Sequence, residues 1–409
     1  MKTLRNLFTL SCLLTLATAC TNPKNTFIAE NVDFAAHQTA LMLEKTGEPT
    51  GKNYPRTMND KGELVTTNMY DWTPGFFPGN LWYLYELTED TVWRDRAKVW
   101  THSLEPLKTF TGHHDLGFMI YCSYGNAYRL APKPEYKDII IQSAESLITR
   151  FDERTQAIKS WNRGRNWDGK EWYFPVIVDN MMNLEMLFAA TKLSGDKRFY
   201  DIAVTHANTT IKNHIRQDYD TYHVVDFDTI TGTAADKATA QGYSDNSTWA
   251  RGQAWIVYGF TMMYRETQDE TYLKVAKETA DYFLTHLPED MIPVWDFNVD
   301  QEGYVPGKNS NAVKFREKLR DASAGAIVCS ALFELADLAK EPIYSVYAMN
   351  MLKSLSSPQY RAALGTNANF LIEHCVGSIP HNFEIDKPLV YADYYYLEAL
   401  VRYKNSNLK

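Results

Sequence analysis

Cysteine is scarce in this chain, with five in 409 residues. Cys12 and Cys20 stand near the N-terminus, which leaves Cys122, Cys329 and Cys375 scattered through the rest. Such spacing makes neither a disulfide framework nor a zinc site. Linker-like stretches of Ser, Gly or Pro and low-complexity runs are missing too, so one large domain is favoured over two or three. Positive charge is short: 42 Lys and Arg against 50 Asp and Glu give a formal net charge of −8. That balance argues against nucleic acid as a partner, and any polyanion must be held by local positive charge in a pocket. The N-terminal apolar run, Leu7 to Leu16, is too short to span a membrane. A hydrophobic content of 45% supports a substantial core, and 22% charged residues are ordinary for a soluble protein.

Lys2 and Arg5 precede that apolar run, and Ala17-Thr18-Ala19-Cys20 follows it. This pattern predicts a lipoprotein signal peptide over 1–19, with Cys20 as the lipidated N-terminus. A tether over 20–26 would then lead into one domain over 27–409. Thr21 after the cysteine, rather than Asp, fits outer-membrane sorting, so the expected place is the periplasm or outer membrane. The alternative is an ordinary secretory signal in which Cys20 is incidental.

A repeat runs through the chain. Short polar linkers lead into helices that carry an aromatic residue early and a small or apolar residue one turn later. The anchors are Trp93/Ala97, Tyr136/Ile140, Phe199/Ala203, Tyr272/Ala276 and Tyr344/Ala348. Residues four apart share a helical face, and the acidic or Pro residue before each anchor suits an N-cap or first turn. A further outer helix is predicted from Phe27 to Lys45 and a last inner helix from Tyr391 to Tyr403. Together these segments predict an all-α fold, an (α/α)6 barrel of six helical hairpins in a toroid.

The other helix of each hairpin opens with polar and aromatic residues. These openings are Asp71-Trp72, His113-His114-Asp115, Asp179-Asn180, Trp249 to Trp255, Arg320 to Ser323 and Tyr391-Ala392-Asp393. In a ring with those N-termini on one face, carboxylates, an Arg and several Trp converge as the outline of a carbohydrate site. Asp115 is either a helix cap or a functional carboxylate. The neighbouring histidines do not imply a metal, because consecutive residues rarely aim at one ion. Asp179 lies in the apolar run Pro175 to Leu184, where burial would raise its pKa and suit it to general-acid work; an N-cap is the alternative. His223 to Asp228 alternates like a short strand, and Thr239 and Gln241 alternate toward one side. Arg251 and Trp255 stand at i and i+4, either as a carboxylate clamp with a stacking ring or as a structural cation–π pair.

Over essentially the whole mature chain these residues resemble glycoside hydrolase family 88, the unsaturated glucuronyl hydrolases. The resemblance rests on the blocks Asp71 to Gly79, His114 to Phe118, Val178 to Leu184, Tyr222 to Asp226, Gln241 to Asp245, Trp249 to Trp255 and Ala392 to Leu400. It implies an (α/α)6 barrel acting on the 4,5-unsaturated uronic acid that polysaccharide lyases leave at non-reducing ends. It also implies hydration of a vinyl ether, with Asp179 delivering a proton to C4 and then helping water add at C5. Asp115 would be its partner carboxylate, Trp72 and Trp255 stacking walls, and His223, Gln241 and Arg251 contacts to the uronate, with Thr239 added. No metal or organic cofactor is implied; the partner is the oligosaccharide, and membrane contact comes only through the lipid.

One departure concerns the Ser-x-x-Ser-x-Lys pattern of relatives that accept sulfated substrates. Here Ser378-Ile379-Pro380-His381-Asn382-Phe383 stands instead, leaving Ser378 and His381 as the contacts to the leaving sugar. Family 105, the unsaturated rhamnogalacturonyl hydrolases, is the runner-up; its Arg-Gly-Asn-Gly-Trp differs from Arg251-Gly252-Gln253-Ala254-Trp255 here. A glycan-capturing lipoprotein without catalysis is the third reading.

Overall fold

A computed structural model describes residues 23–406. Helices are α1 (Pro23–Thr46), α2 (Phe76–Thr88), α3 (Thr91–His102), α4 (Asn126–Leu130), α5 (Pro134–Ile148) and α6 (Leu184–Ser194). They continue as α7 (Lys197–Asn213), α8 (Ala250–Thr267), α9 (Glu270–Thr285), α10 (Ala322–Ala339), α11 (Pro342–Leu355) and α12 (Val390–Asn405). A π-helix, Gly117–Gly125, runs straight into α4, and a 3-10 turn, Val178–Asn183, runs straight into α6.

The inner ring is therefore α2, the π-helix with α4, the 3-10 turn with α6, then α8, α10 and α12. The outer ring is α1, α3, α5, α7, α9 and α11, and the fold is the expected (α/α)6 barrel. Inner helices α8 and α10 are buried along almost their whole length, and outer helices bury only one face. All five anchor pairs of the repeat lie in the core. The hairpin turns follow from local chemistry. Helices α2, α6, α8 and α10 end on a left-handed residue, Glu89, Gly195, Gln268 and Lys340. Asp90, Asp196 and Asp269 then cap the next outer helix by accepting a backbone N–H.

The ring closes between the first and last segments. The Tyr394 ring of α12 lies 5.3 Å from Phe76 of α2, and Phe27 of α1 meets Tyr403 edge-on at 6.0 Å. Helix α1 is longer than predicted. It begins at Pro23, so residues 23–26 of the expected tether form its first turn. The signal-peptide and lipidation readings, including Cys20, lie outside the described residues.

Short sheets decorate the mouth where inner helices begin. The strand Pro175–Ile177 pairs antiparallel with Val224–Phe227, which pairs in turn with Ala234–Ala238. A separate hairpin joins Cys375–Ser378 to Phe383–Lys387.

Candidate active site

Asp115 stands just before the π-helix, a rare geometry that recurs at functional sites. Its side chain caps nothing; only its backbone carbonyl accepts, from the Met119 N–H at 2.9 Å. Oδ2 lies 3.2 Å from His113 Nδ1, and Oδ1 lies 3.2 Å from His114 Nε2. Burial favours the neutral acid, yet His114, His113 and Arg150 outweigh it and hold the Asp115 carboxyl below the usual carboxylate range. Burial pulls the His114 imidazole down. His113 is also partly desolvated, but the Asp115 carboxylate and the Tyr70 carbonyl keep it above its ordinary value.

Asp179 sits in the first turn of the 3-10 segment, whose N-cap, Ile177, makes no side-chain bond. The preceding strand places it. Ile177 pairs with Val224, and the Val178 N–H donates to the His223 carbonyl at 3.1 Å. His223 Nε2 is thereby brought to 3.6 Å from Asp179 Oδ2. His223 Nδ1 accepts from the backbone N–H groups of Ala240 at 3.2 Å and Gln241 at 3.3 Å. A neutral ring that accepts at Nδ1 carries its proton on Nε2, facing Asp179. The Trp249 ring packs against the imidazole at 4.4 Å. Both Asp179 Oδ2 and His223 Nε2 are buried without a hydrogen-bond partner among the described residues, as is His114 Nε2. Buried polar atoms are nearly always satisfied, so such a cluster marks a ligand-binding position.

The remaining site residues divide. Thr239 organises the loop beneath His223: its Oγ1 accepts the Gly242 N–H at 2.8 Å and lies 3.4 Å from His223 Nδ1. Gln241 adds a bond from Nε2 to the Gly377 carbonyl at 3.2 Å. Ser378 Oγ and His381 Nδ1 bond each other at 2.7 Å at the turn of the 375–387 hairpin. Trp72 is half-buried, with its ring 4.9 Å from Tyr391 and 5.4 Å from Phe118.

Arg251 and Trp255 both lie buried within the barrel. The Arg251 guanidinium is fully buried and committed within the protein. Nη1 donates to Asp321 Oδ2 at 2.9 Å and to the Val376 carbonyl, and Nη2 donates to the Gly377 carbonyl at 2.6 Å. It stacks on Trp249 at 4.5 Å and Tyr391 at 5.4 Å rather than on Trp255. In this structure it ties α8 to the cap of α10 and to the 375–387 hairpin instead of standing open as a clamp. Trp255 is no open wall either; its ring is enclosed in the barrel by Phe118 at 5.2 Å and Tyr395 at 5.5 Å. The carboxylates of the last two openings are structural as well. Asp321 caps α10 through the Ser323 N–H, and Asp393 accepts from the Leu371 and Ile372 N–H groups.

Sequence reasoning missed two features. His114 entered as part of a helix opening and was given no role of its own, yet it is the buried partner of Asp115. Trp161 and Trp167 line a cleft of about 730 Å³ with Arg165, Asn309, Gln241 and His381. Trp161 lies 6.5 Å from the His223 ring, so the cleft opens beside the carboxylate pair. The signal was the run Trp161-Asn162-Arg163-Gly164-Arg165-Asn166-Trp167, with two Trp and two Arg in seven residues of a polar insert.

Known proteins resemble this chain in sequence and fold. A family model described as Glycosyl Hydrolase Family 88 matches residues 50–294. An unsaturated glucuronyl hydrolase of Formosa agariphila is 46% identical over 366 residues, covering 88% of this chain and 87% of its own length. An unsaturated chondroitin disaccharide hydrolase of Streptococcus pneumoniae is 33% identical over 392 residues, 93% of each chain. The crystal structure of an unsaturated glucuronyl hydrolase specific for heparin superposes with a TM-score of 0.85 at 42% identity, over 94% of this chain and all of that one. An (α/α)6 barrel with paired carboxylates at its mouth, matched along nearly its full length, places this chain in glycosyl hydrolase family 88.

Proposed function

We propose that this chain releases the 4,5-unsaturated glucuronic acid from the non-reducing end of lyase-generated, glycosaminoglycan-type oligosaccharides. The observation that carries the reading is the buried pair Asp179 Oδ2 and His223 Nε2, 3.6 Å apart and unpartnered, beside an Asp115 held ionised by two histidines. Relatives named for unsaturated glucuronyl and unsaturated chondroitin substrates support the substrate class.

An unsaturated uronate is a vinyl ether, and its C4 is nucleophilic because the ring oxygen pushes electron density into the double bond. Asp179 in its acid form donates a proton to C4, leaving an oxocarbenium ion at C5. The Asp179 carboxylate then takes a proton from water as the water oxygen bonds to C5. The resulting hemiketal opens, and the leaving sugar departs with its glycosidic oxygen protonated. His223 presents its Nε2–H to Asp179 and stabilises the carboxylate once the proton has left. Asp115, ionised and fixed between His113 and His114, is placed to accept from sugar hydroxyls. Trp72 offers a partly open ring for stacking, and the cleft lined by Trp161 and Trp167 receives the leaving sugar.

Lipidation at Cys20 would hold the enzyme in the periplasm or at the outer membrane with its barrel facing lyase products. The substrate assignment is tested by following loss of the alkene's ultraviolet absorbance on unsaturated glucuronyl and rhamnogalacturonyl disaccharides in parallel. Turnover of the glucuronyl substrate is expected. Turnover of the rhamnogalacturonyl substrate alone would overturn it.

A further inference from the structure

Asn183 closes the 3-10 segment that carries Asp179 and reaches across to the segment that carries Asp115. Its Oδ1 accepts the Gly117 N–H at 2.8 Å, and its Nδ2 lies 3.3 Å from His114 Nδ1. The approach is close: a Cβ on Gly117 would sit 2.6 Å from both the Cα and the Oδ1 of Asn183. Only glycine fits there.

The amide orientation follows from its partners. A backbone N–H requires an oxygen opposite it, so the atom facing Gly117 is Oδ1 and the atom facing His114 is the amide nitrogen. An amide nitrogen only donates, so His114 Nδ1 must be bare. His114 is wholly enclosed, and burial favours its neutral form. The single ring proton therefore resides on Nε2, 3.2 Å from Asp115 Oδ1 and without a close hydrogen-bond partner among the described residues. A bare Nε2 there would set a lone pair against the carboxylate.

We infer that Asn183 is a positioning residue that selects the Nε2–H tautomer of His114 and thereby sets the donor beside Asp115. The inference rests on reading Asp115 as the partner carboxylate of the reaction. Other groups face His114 as well: Asp115 and His113 from its own segment, Asp179 and Asn180 from the 3-10 turn, and His206 from α7. Arg150, at the end of α5, acts on Asp115. At Nδ1 the partner is the Asn183 amide, and the Asn180 side chain also bonds the ring and favours its protonated form. The two histidines and two carboxylates bias the ring's charge; Asn183 decides which nitrogen is protonated.

The test is Asn183→Asp. The new carboxylate still accepts from Gly117 at one oxygen and now accepts from His114 Nδ1 at the other. It raises the affinity of that ring for a second proton. At low pH the ring holds both protons and Nε2–H survives; at higher pH the remaining proton stays on Nδ1. The variant's kcat is expected to fall roughly tenfold or more at alkaline pH beyond the fall that the unaltered enzyme shows there, while activity on the acid side is largely kept. Nitrogen-15 NMR of histidine-labelled protein, with His114 assigned through His114→Gln, reads the tautomer without substrate. Nε2–H in the unaltered protein and Nδ1–H in Asn183→Asp at alkaline pH support the assignment. Nδ1–H in the unaltered protein overturns it, as does an Asn183→Asp variant with Nε2–H retained and an unchanged pH profile. If the variant does not fold, the unaltered spectrum alone decides. Because the spectrum needs no sugar, a wrong substrate class leaves its answer intact.

Discussion

Asp179 Oδ2 and His223 Nε2 face each other at 3.6 Å inside the barrel mouth, and neither has a hydrogen-bond partner elsewhere among the described residues. The separation is too long for a good hydrogen bond. It is maintained from both sides: the strand pairing of Ile177 with Val224 sets the backbones, and two N–H groups plus the Trp249 ring set the imidazole. Unsatisfied groups held this rigidly are pre-organised for a reacting molecule, not for the stability of the fold.

Asp179→Asn is therefore expected to fold normally. The amide is near-isosteric, and the carboxylate oxygen it replaces has no hydrogen bond to lose. Turnover should fall by about 10²–10⁴-fold, because the amide cannot supply the proton. Steady-state kinetics and a melting curve check both halves; a variant keeping more than a tenth of the activity removes Asp179 from the acid role.

Arg251→Leu is expected to act on stability first. It leaves Asp321 buried opposite an apolar side chain and strips donors from the Val376 and Gly377 carbonyls. Losing one partner of a buried ion pair costs about 3–5 kcal/mol, and adding Asp321→Asn should recover part of it. Denaturant unfolding measures the loss. An unchanged midpoint with only KM raised would return Arg251 to the uronate clamp read from its sequence.

Asp393 gives a pH dependence of stability. Burial pushes its carboxyl up to about 8, against the pull of the Leu371 and Ile372 N–H groups. A folded-state pKa above the unfolded value near 3.9 means that the native state binds the extra proton. The associated stability is full below the unfolded value and is lost as pH rises through about 8. Melting temperatures taken from mildly acidic to mildly alkaline pH should fall more steeply for the unaltered chain than for Asp393→Asn. Parallel curves would assign the dependence to other groups.

Cys20→Ala should move the protein from the detergent-extracted membrane fraction to the soluble fraction with catalysis unchanged, since stable anchoring needs the paired acyl chains. An unaltered protein that is already soluble after fractionation would make the signal an ordinary secretory one.

The hairpin ring was legible because five of the six outer helices repeat one packing device, an aromatic residue with a small or apolar one four positions on. Asp115 and Asp179 were legible because each stands at the start of an apolar inner helix. The partners of Arg251 were not: Asp321, Val376 and Gly377 lie 70 to 126 residues away. The i, i+4 spacing pointed to Trp255, but packing turned that ring into the barrel and gave the guanidinium Trp249 and Tyr391. His114 was passed over because its role depends on a tautomer, which an amide 69 residues distant decides. The π-helix after Asp115 had no sequence signal; the close contact between Gly117 and Asn183 stands at its start.

The central claim is that the enzyme protonates C4 of the alkene and adds water at C5. The most direct test is turnover of an unsaturated glucuronyl disaccharide in heavy water, with the released uronate examined by NMR. The account predicts one solvent deuteron at C4 and loss of the double bond in step with release of the leaving sugar. A released uronate that keeps its double bond and carries no deuterium at C4 would contradict it, because the glycosidic bond would then have been cleaved without hydration.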